Sequence, residues 1–166
     1  MIDVSKWDPS VLRGLNLKLF DDPRYEYDVD SGSQAPDAIR RRIRNVKDAK
    51  IRRLLAVVPD CPVGTEPGFK DWWAQWMPIA AGMQIWPDGN HRTGLMVAEL
   101  VAKRAGFSIV LDEGAMEELR FTSKRIVQQR WKGNNPVKPN EFADVNHPLR
   151  RYYESFKGRL TLEKAP

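Results

Sequence analysis

A chain of 166 residues suits one domain built around one hydrophobic core. With 42% hydrophobic and 30% charged residues, no apolar run near the about 18 residues of a membrane span, no basic-then-apolar leader and the single cysteine Cys61, the composition excludes a spanning helix and an internal disulfide and leads us to expect a cytoplasmic protein. The net charge of +5, from 27 basic and 22 acidic residues, favours anionic ligands but is modest for a dedicated nucleic-acid binder, so nucleic acid is not an expected partner.

Residues 1–34 are interrupted by Asp21-Asp22-Pro23, Asp28, Asp30 and Ser31-Gly32-Ser33, and read as an irregular N-terminal arm with at most a short helix near Pro9 to Leu15. Residues 35–166 read as one helical domain. Pro36 suits the first position of a helix and Asp37 its first turn. Ile39, Ile43, Val46, Ile51 and Leu54 then recur at helical spacing, so one helix is expected from Pro36 to before Pro59. It carries Arg40, Arg41, Arg42, Arg44, Lys47, Lys50, Arg52 and Arg53 against Asp48 alone, either as a solvated face or as a patch for phosphate or an acidic partner. Val57 to Gly68 holds three prolines and two glycines and cannot be helical.

Phe69 to Trp76 and Pro78 to Gln84 predict one kinked helix or two short ones, with Trp72, Trp73 and Trp76, and with them Trp86, packed in the core. Leu95 to Val101 is an apolar helical run that Gly106 stops, and Phe107 to Leu111 is extended. A long helix follows from Asp112 or Glu113 to about Trp131, with Met116, Leu119, Ile126 and Val127 inward and Gly133 as its terminator. Gly133 to Asn140 is a loop, His147-Pro148 to Lys157 a last helix, and Leu160 to Pro166 a tail. The fold class is mainly α.

The chemistry concentrates in Gln84-Ile85-Trp86-Pro87-Asp88-Gly89-Asn90-His91-Arg92-Thr93-Gly94, a polar turn that opens the apolar helix. Gly89 permits a tight turn, and Asn90 suits an N-cap. Arg92 then falls in the first helical turn, where the macrodipole disfavours a cation by a few tenths to about 1 kcal/mol. An anion would resolve that conflict, because a helix N-terminus and a guanidinium together make a phosphate cradle. Asp88 beside such a cradle calls for a cation, and Mg²⁺ held by one carboxylate plus ligand phosphates is a common arrangement. The competing reading is a plain turn in which Arg92 meets solvent or a carboxylate.

These residues resemble the signature of the Fic/Doc (Fido) superfamily, HxFx[DE]GNGRxxR in Fic members and HxFxDxNKRT in Doc-like ones. Trp86 matches the aromatic position, Asp88 the metal ligand, Gly89 and Asn90 the anion-binding turn, Arg92 the phosphate-binding arginine and Thr93 the threonine of the Doc-like form. His91 replaces the usual Gly or Lys, and Leu95 stands where Fic members carry a second Arg. Gln84 stands where the family keeps its catalytic His. The likeness is good over residues 79–111 and vague outside them. It implies a helical bundle with a short β-hairpin flap upstream of the motif helix, placed at Val57 to Gly68 where the residues alone read equally as a plain connector, a nucleoside triphosphate such as ATP with Mg²⁺, and transfer to a hydroxyl of a protein target or small molecule. The family's inhibitory [ST]xxxE[GN] helix is missing: Glu113-Gly114 has Ile109 four residues earlier, so inhibition would need a separate protein.

Gln84 alters that chemistry. An amide hydrogen-bonds but has no proton-accepting state near neutral pH, and losing a general base removes about 10²- to 10⁴-fold in rate. Binding can survive, because phosphoryl transfer rests on positioning and electrostatics. His91 offers one substitute base, since a helix N-terminus keeps its imidazole neutral. Three readings therefore stand: a transferase, an anion-binding pseudoenzyme that performs no chemistry, and an enzyme acting on a phosphorylated metabolite.

Overall fold

Helices form where apolar residues recur every three or four positions. In the computed structural model, which describes residues 1–22, 36–130, 141 and 144–165, a 3₁₀ turn at Val4–Lys6 precedes helix α1 (Pro9–Leu19). There follow α2 (Pro36–Arg44), α3 (Asp48–Leu55), α4 (Glu66–Gly82), α5 (Asn90–Ala105), strand β1 (Phe107–Val110), α6 (Glu113–Arg130), α7 (Pro148–Phe156) and strand β2 (Thr161–Lys164). The fold is mainly α and forms a single domain, and no described helix is long and apolar enough to cross a membrane.

Helix α4 is the centre. Phe69, Trp72, Trp73, Trp76 and Met77 are buried, as are all its residues from Met77 to Gly82, because α5 and α7 cover it from two sides. It is one helix, not two, and it runs through Pro78. Each indole has a distinct neighbour. Trp72 donates to the Pro59 carbonyl (2.9 Å) and stacks on Trp76 (6.1 Å between centroids), Trp76 donates to the Gly94 carbonyl of α5 (2.8 Å), and Trp73 meets Tyr153 of α7 edge-on (5.4 Å).

The chain outside this centre corrects several expectations. Residues 1–22 are no loose arm: Asp8 caps α1 by accepting from the Ser10 N–H (2.8 Å), Pro9 takes its first turn, and the helix runs to Leu19 and packs against α5. Residues 23–35, with the boundary expected at 34–35, lie outside the described residues. The single helix expected from Pro36 breaks at 45–47. At 3.6 residues per turn, the stripe Ile39, Ile43 and the stripe Ile51, Leu54, Leu55 lie about 90° apart, so one straight helix could not bury both. All five are buried once the chain breaks.

Residues 57–65 form a connector without the hairpin flap, and Glu66 to Gly68, expected to be non-helical, open α4 because Pro67 is tolerated in a first helical turn. Within residues 57–68, Cys61 alone forms a bridge, exchanging backbone hydrogen bonds with Ile2 (2.7 and 2.9 Å), since Pro59 and Pro62 on either side bring no N–H to a ladder. The described sheet lies beyond the motif helix. Gly106 ends α5 at φ 91°, and β1 pairs antiparallel with β2, Phe107 opposite Lys164 and Val110 opposite Thr161, so the expected tail is a strand. In α6, Ala115 and Leu119 face inward and Met116 is exposed; the loop and terminator expected at 133–140 lie outside the described residues.

The crossing of α4 and α5 yields a test. A Cβ on Gly94 would stand 2.8 Å from the Cβ of Ala80, below any normal contact. Gly94→Ala should therefore cost about 1–3 kcal/mol in overpacking, offset by up to about 1 kcal/mol of helix propensity, and thermal unfolding should occur a few degrees lower. In the double variant Ala80→Gly/Gly94→Ala the two losses should be less than additive. Strict additivity would mean that this contact does not set the helix spacing.

Candidate functional site

The turn between α4 and α5 is built by side chains bonding back onto its own backbone. Gly89 adopts φ 75°, ψ 19°, a left-handed conformation that costs a glycine little, and turns the chain into α5. Asn90 is not the N-cap, as the sequence suggested, but the first helical residue. Its Oδ1 accepts from the Trp86 N–H (2.9 Å), and its Nδ2 donates to the Trp86 carbonyl (2.9 Å) and to Oε1 of Gln84 (3.3 Å). The amide thus clamps the turn shut, and the clamp takes up its hydrogen-bonding groups.

Asp88 is buried, 5% exposed, and one carboxylate oxygen accepts from the Gly89 N–H (2.6 Å). Its main-chain carbonyl accepts from Nδ2 of Asn16 (3.0 Å), which also donates to Oγ1 of Thr93 (2.8 Å). Thr93 is 2% exposed and its N–H bonds the Gly89 carbonyl (2.8 Å), so its observed role is to lock the first turn to α1. Asn16 itself is fully buried with Oδ1 unpartnered. The sequence reading missed it. Its signal is a lone amide in the stripe Leu12, Asn16, Phe20, where an i, i+4, i+8 period calls for apolar residues.

Gln84 occupies the left-handed region, φ 47°, which costs a non-glycine residue about 1–2 kcal/mol and is held by its surroundings. Its Nε2 donates to the Ala81 carbonyl, and Oε1 receives Asn90. Lys50 of α3 donates to the carbonyls of Ile85 (3.2 Å) and Gln84 (3.4 Å), joining the basic helices to this turn.

His91 follows Asn90 in the first turn of α5. Its ring stacks on Tyr153 (6.3 Å between centroids), and both nitrogens are buried without a hydrogen-bond partner. Burial, with the nearby charges of Arg92 and Arg120 adding to it, pushes the imidazole pKa down to about 4. The ring is thus neutral, as a base must be, but enclosed. The N–H groups of Asn90, His91 and Arg92 belong to the first turn, outside the helical ladder, and half-buried Arg92 adds its charge at the same end. Among the described residues no group of three or more His, Cys, Asp or Glu could hold a metal ion, so Asp88 would need ligand oxygens to complete any Mg²⁺ shell.

Searches against protein-family models, curated proteins and solved structures each return no match.

A neutral histidine whose two ring nitrogens are buried makes stability depend on pH. Its folded pKa lies below the unfolded value near 6.5, so the unfolded chain binds the extra proton, and stability that is full above that value is lost as pH falls toward about 4. The shift corresponds to a loss on the order of 3 kcal/mol, about 2 of it by pH 5. Denaturant unfolding at pH 7.5 and 5.0 should show this loss, and His91→Leu should lose correspondingly less. An equal loss in both proteins would remove His91 as its cause.

Proposed function

We propose that the chain binds a nucleotide or another phosphorylated ligand at the first turn of α5, as a Fic/Doc-like site would, with little or no group transfer. One observation carries this reading: buried Asp88, left-handed Gly89 and the first turn bearing Arg92 are braced as a unit by Asn90 from within and Asn16 from α1. Bracing fixes the backbone of the turn and the first-turn amides before a ligand arrives, which reduces the ordering cost of binding. Arg92 and the first-turn amides would take phosphate oxygens, while Asp88 would share Mg²⁺ with them. The metal would neutralise phosphate charge. A nucleoside triphosphate, ATP first, and a phosphorylated metabolite are the two ligand candidates, and the cytoplasm, which supplies both, is the proposed location.

Two features support binding over transfer. Gln84 has no proton-accepting state, and its amide is engaged by Ala81 and Asn90. His91, the other candidate base, has both nitrogens buried. Slow transfer to a protein or small-molecule hydroxyl is the second reading, supported by the presence of Asp88 and Arg92 in one braced turn, since phosphoryl transfer rests on positioning and electrostatics.

Titration calorimetry with ATP and Mg²⁺ tests the proposal. Arg92→Ala should weaken binding by about 1.5–3 kcal/mol, roughly 10- to 100-fold, in a protein that still unfolds cooperatively. Unchanged affinity would sink the anion-cradle reading. A gain-of-function test complements it: Gln84→His supplies a base, and histidine tolerates left-handed backbone better than most residues. Transfer of label from ATP to an acceptor should then rise by about 10²-fold or more over a near-zero baseline. Fast transfer by the unaltered protein would refute the binding-only reading.

A further inference from the structure

The net charge of this protein is localised. Residues 36–55 carry eight of the 27 basic and two of the 22 acidic side chains, an excess of six positive charges, while the rest of the chain, with 19 basic and 20 acidic, is close to neutral. Helices α2 and α3 therefore hold essentially the whole of the +5, which the overall value conceals.

Both acids on these helices are already engaged. Asp37 pairs with Arg40 (3.1 Å), which also reaches Asp21 and the Phe20 carbonyl, and Asp48 pairs with Arg13. Lys50 is spent on the motif turn. Arg41, Arg44, Lys47, Arg52 and Arg53 are all exposed, and none makes an ion pair among the described residues. Such a concentration of like charge, without ion pairs among the described residues, repels itself, and a bound polyanion would relieve it.

The makeup of the face selects the partner. Ile39, Ile43, Ile51, Leu54 and Leu55 point inward, and α2 and α3 contain no aromatic residue. Protein interfaces depend on a desolvated core of aromatic and apolar anchors, and single-stranded nucleic acid is held by aromatic stacking; this face offers neither. Contact with the phosphate backbone of a duplex needs only Arg and Lys. We infer that the exposed face of α2 and α3 binds duplex nucleic acid through its phosphates, without reading base sequence. The inference does not rest on the anion site at α5.

Fluorescence anisotropy with a labelled duplex of about 20 base pairs and arbitrary sequence tests it. If four phosphates are neutralised, affinity should fall about 100-fold between 50 and 200 mM salt. The variant Arg41→Ala/Arg44→Ala/Lys47→Ala/Arg53→Ala should bind at least about tenfold more weakly at 50 mM salt, with a shallower salt slope. A charge-matched variant, Lys103→Ala/Arg125→Ala/Arg151→Ala/Lys164→Ala, alters exposed residues elsewhere and should stay within a few-fold of the unaltered protein. Far-ultraviolet circular dichroism verifies that both variants fold. Three results would overturn the inference: no duplex binding at 50 mM salt, equal losses in the two variants, which would mean bulk charge alone, or poly-glutamate competing as well as the duplex at equal charge, which would point to an acidic protein.

Discussion

Where α4 and α5 cross at Gly94, their separation is fixed by what is missing from the chain, a single methyl group opposite Ala80. The Trp76 indole bonds the Gly94 carbonyl at the same level, so the two helices are held by close packing and by a buried hydrogen bond at one point. The turn that joins them inherits its geometry from that crossing. Gly89 and Gln84 take left-handed conformations within that turn, and the Asn90 side chain bonds Trp86 and Gln84 across it.

The turn is stabilised mainly by amides. Asn90 exchanges two hydrogen bonds with Trp86, and Asn16 reaches across from α1 to Asp88 and Thr93. Buried polar groups of this kind add little net stability, since each bond only replaces one with water, but a misplaced one costs about 1–3 kcal/mol. They therefore hold one conformation against near alternatives. The left-handed Gln84 and the unpartnered Oδ1 of Asn16 are local costs carried by the same arrangement.

The cationic residues fall in two groups of different character, Arg92 at the start of α5 and the exposed basic residues of α2 and α3. At the α5 start, Arg92 and the first-turn amides belong to one helix end, where we propose a compact phosphate ligand. Along α2 and α3 the charges are spread over exposed helix faces, which suits an extended polyanion. Lys50, bonded to the carbonyls of Gln84 and Ile85, ties the second region to the first.

The sequence by itself determined the helical class, the buried tryptophans of α4, the helix beginning at the Gly89-Asn90 turn and its end at Gly106, because these follow from local periodicity and from the backbone freedom of glycine. The motif residues were legible for the same reason: Asp88 to Thr93 are consecutive. The break at 45–47 was concealed because two apolar stripes about 90° apart still look periodic when read as one helix. The pairing of Phe107–Val110 with Thr161–Lys164 was concealed because strand partners some fifty residues apart leave no local mark. Only the tertiary structure placed Asn16 under the motif turn and enclosed His91 against Tyr153. Burial and partnership depend on which helices pack together, and in sequence order alone a histidine beside an arginine reads the same whether its ring faces a ligand or the core.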